Sequence, residues 1–342
     1  MADERAELAD ETRADDGLIG WGVLSSANIG AKAVIPAIQA SRNGRLVAIG
    51  SRDLARAERI ALREPGARAY GSYDALLEDP EVDAVYIPLP NAQHLEWTIK
   101  ALRAGKHVLC EKPLGLTADE ARQMFDASEA SGKLLMEAFM YRFHPQIIWA
   151  REQVTAGRIG AVRLIRSAFV FDIRNAPDNI RLKASLGGGS LMDVGCYPLS
   201  LARIFFEAAP ERAVALMTQP TDAEVELGVT AALDFGDDRR AVIDCSFELP
   251  WRQFAEVIGD QGRISIALPF TPGKVEAAVR LHEGAETLER RFPAVDQYQL
   301  EVEHFGACIQ RGETPAITRA DSIAQAEAID LIYAAAGYRW PR

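Results

Sequence analysis

Short β-branched runs alternate with helical patterns from Leu18 to about Met136, and this alternation constrains the fold more than any other feature of the sequence. Strands separated by helices predict a parallel sheet with helices on its faces. After Met140 the strands follow one another without a helix after each, which predicts a largely antiparallel sheet. The strands predicted in the first part are LIGWGVL, RLVAIGS, DAVYIPL and KHVLCEKP, and those in the second are AVRLIRSAFVFDI, VTAALDF, RAVIDCSFEL, FAEVIGDQGRISI and VEAAVRLHE.

These two patterns predict an α/β protein of two domains, and a chain of 342 residues with 48% apolar residues is long enough to build two cores. We expect a dinucleotide-binding Rossmann domain with a parallel sheet over residues 17–138. Residues 139–342 should form a C-terminal α+β domain with a large, mostly antiparallel open sheet, used for substrate binding and oligomerisation. Residues 1–16 are polar, acidic and small, lack the apolar core of a signal peptide, and are expected to form a disordered tail.

Two local signals predict helix boundaries in the first part. Thr117 begins the pattern of a capping box, and Gly132 marks the expected end of that helix. Pro36 lies inside the opening helical pattern and should break or kink it, because proline lacks the N–H that a helix interior uses. We therefore expect a short turn from Asn28 and a second helical piece that begins near Ile35.

Charge and cysteine usage exclude several classes of protein. The 38 basic and 49 acidic residues give a net charge of -11, which argues against a broad nucleic-acid or anionic-membrane surface. No apolar run is long enough to span a bilayer. The four cysteines and five histidines lack the spacing of a zinc site, so we expect no metal, and the cysteines are interpreted as reduced thiols of a cytoplasmic protein.

The opening strand and turn, GWGVLSSANIG, resemble a phosphate-binding loop that has lost two glycines. In the register that keeps the whole strand, Ser25, Ala27 and Gly30 occupy the three glycine positions of such a loop. The main-chain amides from Ser26 to Ile29, Asn28 included, remain available to an anion, and the serines add hydroxyl donors. An ordinary strand-to-helix turn is the alternative. A register on the two glycines of GWG is rejected, because it leaves almost no strand before the turn.

The end of the second strand carries the signal for the type of dinucleotide. Ser51 and Arg52 lie where an NAD-binding protein carries an acid for the ribose 2′-hydroxyl. Asp53 is one residue further on, but Arg52 and Arg56 together make a compact anion site. This pattern favours NADP over NAD. The alternative interpretation is that these are solvated surface charges.

Two longer stretches carry a resemblance to a known family. YIPLPNAQHLEWTIKALRAGKHVLCEKPLG at 86–115 and GGGSLMDVGCYPLSLA at 187–202, together with the opening loop, resemble the Gfo/Idh/MocA oxidoreductase family. The resemblance covers nearly the whole chain after residue 17. SSANIG, EAFMYRFHPQ and DNIRL are more narrowly similar to the branch of NADP-dependent D-xylose 1-dehydrogenases and dimeric dihydrodiol dehydrogenases. Members of that branch also carry serine, a small residue and alanine in the loop, so the missing glycines are no objection to cofactor binding.

Three residues are candidates for catalysis. Lys112 ends a predicted parallel strand, at the sheet edge where α/β proteins bind ligands, although a salt bridge with Glu111 is the alternative. Asp193 and Tyr197 are four residues apart on one face of a predicted helix, and taken alone they fit a capping or packing role better than catalysis. The resemblance implies that Tyr197 takes the proton during hydride transfer. It also implies that Lys112 lowers the pKa of Tyr197 and stabilises the developing oxyanion.

Two further groups of residues are expected to bind ligands. The resemblance implies cofactor contacts from the turn after the third confident strand and from the end of the next one. Polar residues just past the domain junction, and others near residue 180, suit the hydroxyls of a sugar or diol, with a surface polar role as the alternative. The cofactor group comprises Pro88, Leu89, Asn91, His94, Glu111 and Lys112, and the substrate group comprises Tyr141, Arg142, His144, Asp178, Asn179 and Arg181.

The resemblance therefore implies an NADP-dependent oxidoreductase that moves a hydride between the nicotinamide and a carbinol carbon of an aldose or cyclic diol. It also implies a homodimer or homotetramer. Two alternatives stay open: a glycosidase-type enzyme that holds NAD tightly on the same fold, and a regulator that binds dinucleotide without catalysis.

Overall fold

The computed structural model describes residues 17–338, and it confirms a parallel sheet in the first part of the chain. The six strands lie in the order β3-β2-β1-β4-β5-β6 and all pair in parallel. The central strands are almost fully buried because helices cover both faces. The predicted tail, residues 1–16, lies outside the described residues. The strands are β1 Ile19–Leu24, β2 Gly44–Gly50, β3 Arg68–Tyr70, β4 Ala84–Ile87, β5 His107–Glu111 and β6 Leu135–Ala138.

Helices connect these strands, and the local signals of the sequence place three of their boundaries correctly. Thr117 accepts a hydrogen bond from the main-chain N–H of Glu120 at 3.2 Å, and Gly132 ends the same helix with φ +65. A π-helical segment, Gly30–Val34, precedes the helix that begins at Ile35, as Pro36 predicted, although the helical path continues through the junction. The helices are α1 Ile35–Ala40, α2 Leu54–Ala61, α3 Tyr73–Leu77, α4 His94–Arg103 and α5 Ala118–Ser131.

The second sheet has eight strands in the order β14-β13-β12-β11-β7-β10-β9-β8. Every neighbouring pair is antiparallel except β7 and β10, which confirms the mostly antiparallel sheet. The stretch predicted as one strand at 254–266 is the greater part of a hairpin of two strands, and β8 and β14 were not predicted. The strands are β7 Val162–Val170, β8 Arg212–Thr218, β9 Gly228–Asp234, β10 Arg240–Ser246, β11 Arg252–Gly259, β12 Gly262–Ile266, β13 Ala277–Glu283 and β14 Glu286–Phe292.

Helices α6, Pro145–Thr155, and α7, Cys196–Phe206, belong to the second part, and α7 packs on β7. The last two helices, α8 Gln297–Arg311 and α9 Arg319–Ala335, return to the first part of the chain. The ring of Phe305 on α8 lies 6.0 Å from that of Trp21 on β1, and the carboxylate of Asp330 on α9 accepts the N–H of Ala118 at 3.1 Å. Both helices thus contact the first part of the chain, and α9 also packs on β8 and α7 of the second part. The predicted division at residue 138, which assigns both helices to the second domain, stays a prediction.

One face of the second sheet is open along β8, β9 and β10. Val214 on β8 stands opposite Ala232 on β9, which stands opposite Val242 on β10. Val214 and its neighbour on the same face, Leu216, are 73% and 78% exposed. We call this row of apolar side chains the open sheet face. Within residues 17–338, no helix is long and apolar enough to cross a membrane.

Candidate active site

The predicted site residues gather at the carboxyl edge of the parallel sheet. The strand order reverses between β1 and β4, and in open α/β sheets the crevice at such a reversal binds ligands. Ser25 follows β1, Ser51 follows β2, Pro88 follows β4 and Lys112 follows β5, so four loops meet at this edge. The fold therefore brings together loops that are far apart in the sequence.

The loop after β1 is a tight turn that leads directly into a helix. The Ser25 hydroxyl accepts the N–H of Ala27 at 2.9 Å, and the helical path starts at Asn28, directly after this turn. At Gly30 an added Cβ would lie 3.4 Å from side-chain atoms of both Pro88 and Val23. Glycine thus persists at the position where the helix packs closely on the sheet, and Ser25 and Ala27 build the turn without glycine.

The loop after β2 offers cationic groups to a ligand beside the first loop. The hydroxyl of Ser51 lies 3.4 Å from that of Ser26, which joins the two loops. Arg52 is exposed, whereas the carboxylate of Asp53 pairs with Arg56 at 3.3 Å. Because Asp53 and Arg56 pair with each other, the anion site expected from Arg52 and Arg56 rests on the exposed Arg52. These residues fit the phosphate groups of a dinucleotide, and a 2′-phosphate in particular.

A buried ion cluster links the two sheets at the same edge. The Lys112 ammonium donates to the main-chain oxygen of Asp193 at 2.5 Å and lies 3.3 Å from its carboxylate oxygen Oδ1. The other carboxylate oxygen, Oδ2, accepts a hydrogen bond from Nε of Arg181 at 2.6 Å. The side chains of Lys112 and Asp193 are only 9% and 16% exposed, so solvent screens these charges weakly. Asp193 is thereby held between two cations.

The charge states of this cluster follow from burial and from the pairing. Burial acts to raise the pKa of Asp193, but Lys112 and Arg181 outweigh it and hold that pKa below its usual value. Burial acts to lower the pKa of Lys112, but the carboxylate of Asp193 outweighs it and the pKa rises. Asp193 therefore stays ionised and is a poor proton carrier, and Lys112 stays charged at neutral pH.

Tyr197 lies directly beside this cluster. The Lys112 ammonium is 4.7 Å from the centre of the Tyr197 ring, and the Tyr197 hydroxyl donates to the sulfur of Met140 at 3.5 Å. Burial raises the pKa of Tyr197 well above its usual value, with further contributions from Tyr298 and Glu111. Lys112 does not bring this pKa below its usual value in this arrangement, because burial is the dominant effect.

Several residues of the predicted cofactor group hold the loops of the edge together. The Asn91 amide donates to the main-chain oxygen of Gly187 at 2.7 Å, which ties the two sheets to each other. His94 is fully buried, with its ring nitrogens 3.0 Å and 2.9 Å from the main-chain oxygens of Pro113 and Leu89. Glu111 accepts a hydrogen bond from the hydroxyl of Tyr86. The salt bridge of Lys112 is formed with Asp193 and not with Glu111, which was the alternative interpretation of Lys112. Contact of these residues with a cofactor stays a prediction.

Three residues of the predicted substrate group have structural partners instead. Tyr141 is fully buried and its hydroxyl lies 2.8 Å from that of Ser200. Arg142 forms an ion pair with Asp321. His144 is fully buried and caps α6 by accepting the N–H of Gln146 at 3.2 Å. Their polar atoms are turned into the core or into a paired network, and Nε2 of His144 has no hydrogen-bond partner within residues 17–338. Contact of these three residues with a substrate stays a prediction.

The other three substrate candidates lie on the loop before the glycine-rich segment at 187–189. Asn179 accepts the main-chain N–H of Arg181 at 3.1 Å, which shapes the short helical turn that aims Arg181 at Asp193. Asp178 is exposed at the same turn. Arg181, at 42% side-chain exposure, both touches the buried cluster and reaches solvent, so it is the best placed of the six to contact a substrate.

Sequence reasoning did not find the apolar surroundings of Tyr197. The rings of Phe139, Phe169 and Phe270 lie 5.6, 5.5 and 5.4 Å from the Tyr197 ring. Phe139 directly follows β6, Phe169 lies on β7 and Phe270 lies on a loop after β12. Nothing in their local patterns separates them from ordinary core residues. Contacts of this kind arise only when the two sheets are assembled.

Comparison with known proteins agrees with this geometry. Residues 17–139 match the family model described as "Oxidoreductase family, NAD-binding Rossmann fold", and residues 147–265 match the "GFO/IDH/MocA C-terminal domain". The chain is 42% identical to D-xylose 1-dehydrogenase (NADP(+)) 2 of Haloferax volcanii over 92% of its length and 97% of the relative's. It is 30% identical to trans-1,2-dihydrobenzene-1,2-diol dehydrogenase of Danio rerio, over 91% and 94% of the two chains.

Solved structures show the same architecture. A 3-ketoreductase from Actinomadura kijaniata, in complex with NADP and TDP-benzene, superposes with a TM-score of 0.88 at 34% identity, over 93% of this chain and 98% of the other. The aldose-aldose oxidoreductase from Caulobacter crescentus, complexed with glycerol, gives a TM-score of 0.85 at 29% identity, over 94% and 98%. Because family models match both sheets and a relative is 42% identical over nearly the whole chain, this protein belongs to the Gfo/Idh/MocA oxidoreductase family.

Proposed function

We propose that this protein is an NADP-dependent dehydrogenase or reductase that interconverts a carbinol and a carbonyl carbon of an aldose or a cyclic diol. The observation that carries the proposal is the Lys112–Asp193–Arg181 cluster beside Tyr197, at the sheet edge where a dinucleotide fits. Bound NADP supplies the hydride acceptor or donor. Relatives named as a D-xylose dehydrogenase and a dihydrodiol dehydrogenase support the substrate class.

The chain's own residues supply charge and proton control. The Lys112 ammonium has two of its donors directed at Asp193, which leaves a donor for the oxygen of the reacting carbon. A positive charge there stabilises the negative charge that develops on that oxygen. Asp193 keeps Lys112 charged and oriented, and Tyr197, protonated at rest, is positioned to exchange a proton with the same oxygen.

The alternatives differ in their demands on the cofactor. A glycosidase-type cycle would retain NAD and return the hydride to the same substrate, and exposed Arg52 argues for a 2′-phosphate instead. A regulator would need no cluster of charges beside a buried tyrosine. The test is a screen of aldoses, inositols and dihydrodiols that follows NADPH absorbance, with the corresponding ketones and lactones in the reverse direction. Turnover with release of reduced cofactor supports the proposal, and binding of dinucleotide without any turnover contradicts it.

Arg52→Ala should lower kcat/KM for NADP while leaving that for NAD nearly unchanged. An arginine bonded to a phosphate contributes about 1.5–3 kcal/mol, so we expect a decrease of roughly 10- to 100-fold. The measurement is kcat/KM for both cofactors in the wild type and the variant. Arg59→Ala is the matched control, because Arg59 is exposed on α2 but lies near its far end. A wild-type preference for NAD would refute the assignment of the cofactor.

We further propose that the protein forms a homodimer or homotetramer through the open sheet face. A large contiguous exposed apolar surface is typical of a protein–protein interaction site. Leu216→Arg should therefore shift the protein toward the monomer, since it buries a charge in the contact. Sedimentation velocity at micromolar concentration measures the change, with Leu62→Arg as the control because Leu62 is 85% exposed on another surface. A wild-type protein that sediments as a monomer would exclude this interface.

A cytoplasmic location is also proposed. The four cysteines are all buried and free, which fits a compartment that keeps thiols reduced.

A further inference from the structure

Glu226 is a fully buried acid whose carboxylate lies at the start of the helical segment that carries Asp193 and Tyr197. Its Oε1 accepts the main-chain N–H of Leu191 at 2.8 Å and the hydroxyl of Tyr333 at 3.2 Å. Its main-chain oxygen accepts the N–H of Ser190 at 3.2 Å. Glu226 therefore binds the start of this segment twice, at Leu191 through its side chain and at Ser190 through its main chain.

The carboxylate also packs directly on the glycine-rich turn before the segment. Gly189 has φ +117, and a Cβ added there would lie 2.5 Å from Oε2 and 2.7 Å from Oε1 of Glu226. The main-chain oxygen of the same glycine accepts the N–H of Asp193 at 3.1 Å. Glycine is required here both by the backbone angle and by the approach of the carboxylate. Gly189 thus connects Glu226 to Asp193.

A carboxylate at this place does what a capping side chain normally does. The first N–H groups of a helix lack intrahelical partners, and the positive end of the helix dipole favours an anion nearby. Ser190, the residue in the capping position, instead accepts a weak hydrogen bond from the thiol of Cys245 at 3.6 Å. The cap is therefore supplied by Glu226, which lies on a loop 35 residues after Leu191.

We propose that Glu226 is a positioning residue for the reaction: its carboxylate clamps the first turn of this segment and so holds Asp193 against Lys112 and Arg181. The proposal rests on the function proposed above. Asp193 is two residues beyond the clamped Leu191, and Tyr197 is four residues beyond Asp193 on the same helical path. A small rotation of this turn would move both side chains, and a misplacement of about 1 Å at a reacting group can cost roughly 10²-fold in rate.

The carboxyl group of Glu226 changes its charge near neutral pH. The titratable groups that face Glu226 are Tyr333 from α9, Tyr338 beyond that helix, and Cys245 from β10. Burial raises the pKa of all three, so they stay neutral. Burial also raises the pKa of Glu226 to about 7, partly opposed by the hydrogen bonds from Leu191 and Tyr333. The carboxylate form therefore accumulates as the pH rises through this value.

Protonation should weaken the clamp without abolishing it. Oε2 has no hydrogen-bond partner within residues 17–338, so a proton can sit there while Oε1 keeps both of its donors. A hydrogen bond to an ionised acceptor is roughly twice as strong as one to a neutral acceptor. Glu226→Gln retains the neutral acceptor at all pH values and thus imitates the protonated acid. Glu226→Ala removes the acceptor altogether.

The test uses Glu226→Gln, Glu226→Ala and the control Glu224→Gln. Glu224 also accepts a main-chain N–H, from Ala184 at 3.1 Å, but its side chain is 47% exposed. The first measurement is hydrogen exchange of the amides at 190–197, with strand β13 as an internal reference. Exchange at 190–197 should accelerate at least about tenfold in Glu226→Ala, since a capping bond is lost, and should not change in Glu224→Gln.

The second measurement is the pH profile of kcat across the pKa of Glu226. Glu226→Ala should lose roughly 10- to 100-fold in kcat with KM for NADP changed by less than about twofold, because the cofactor loops are untouched. Glu226→Gln should match the wild type below this pKa and fall below it at higher pH. Rescue by glutamine only at low pH is not expected of a residue that merely fills space.

The outcomes separate this inference from the proposed function. Unchanged exchange at 190–197 in Glu226→Ala overturns the clamp, and so does a Glu226→Gln enzyme with the wild-type pH profile. If Glu226→Ala does not fold, the exchange and pH profile of Glu226→Gln decide the question. A wild-type protein that turns over no sugar or diol would refute the proposed function, while the exchange experiment would still report on the clamp.

Discussion

Lys112→Met should lower kcat by about 10³-fold or more, a larger effect than any loss of NADP affinity, to which Lys112 is also expected to contribute. The change removes the charge that faces the reacting oxygen, and the loss of one donor to a developing oxyanion alone costs roughly 10²- to 10³-fold. It also leaves the buried carboxylate of Asp193 with Arg181 as its remaining cation. Single-turnover and steady-state kcat, together with NADPH fluorescence titration, separate the effect on chemistry from the effect on binding.

Lys100→Met is the matched control, because Lys100 is a half-exposed lysine that pairs with Glu96 on the surface of α4. It should leave kcat and the cofactor affinity unchanged, as surface ion pairs contribute little. Lys112→Arg keeps the charge but not the compact ammonium, and should recover only part of the rate. Near-normal turnover in Lys112→Met would show that the ammonium does not contact the reacting oxygen.

Much of this site could be located from the sequence because it depends on local patterns. Lys112 follows a strand that the apolar run at 108–110 makes evident, and in an α/β sheet the end of a strand has a known place. The boundaries at Thr117 and Ile35 follow from capping and from proline, which act over a few residues. Ser51 and Arg52 are found for the same reason, at the end of β2.

Other features could not be predicted, because they exist only between distant segments. The pairing of Arg181 with Asp193 and the cap from Glu226 join residues whose local sequence signals no partner. The same is true of Tyr141 and His144, which look like binding residues in a polar stretch but fold into the core. Strand β14 was missed because its exposed, charged residues do not show the alternation of a half-buried strand.

The corrected environment of Tyr197 changes what its chemistry predicts. Burial raises its pKa, so the phenol is almost fully protonated at neutral pH. If the phenolate is the base in alcohol oxidation, the fraction of Tyr197 in the phenolate form is what determines the rate. While the pH stays below that pKa, this fraction grows about tenfold for each unit by which the pH rises. Oxidation should therefore accelerate as the pH rises, whereas carbonyl reduction, which uses the protonated phenol, should not.

Tyr197→Phe should lower kcat by the 10²- to 10⁴-fold that is roughly typical of general acid–base catalysis, and should remove the rise of oxidation with pH. Phenylalanine keeps the ring that packs on Phe139 and Phe169, so the fold and NADP binding should stay nearly intact. Tyr73→Phe is the matched control, because Tyr73 is a buried tyrosine of α3 that packs on Trp97, and it should keep both the rate and the slope.

The combination of the two catalytic changes tests whether Tyr197 and Lys112 act as one unit. The ammonium lies 4.7 Å from the centre of the phenol ring, and both groups are proposed to act on one reacting oxygen, so their effects on kcat should not add. In the double variant, Lys112→Met with Tyr197→Phe, the loss should be close to that of the more damaging single change. Full additivity, or a Tyr197→Phe enzyme that keeps both its turnover and its pH slope, would mean that the proton is carried by another group. Lys112 itself is then the next candidate, since its ammonium is the nearest acid to the ring of Tyr197 that the cluster provides.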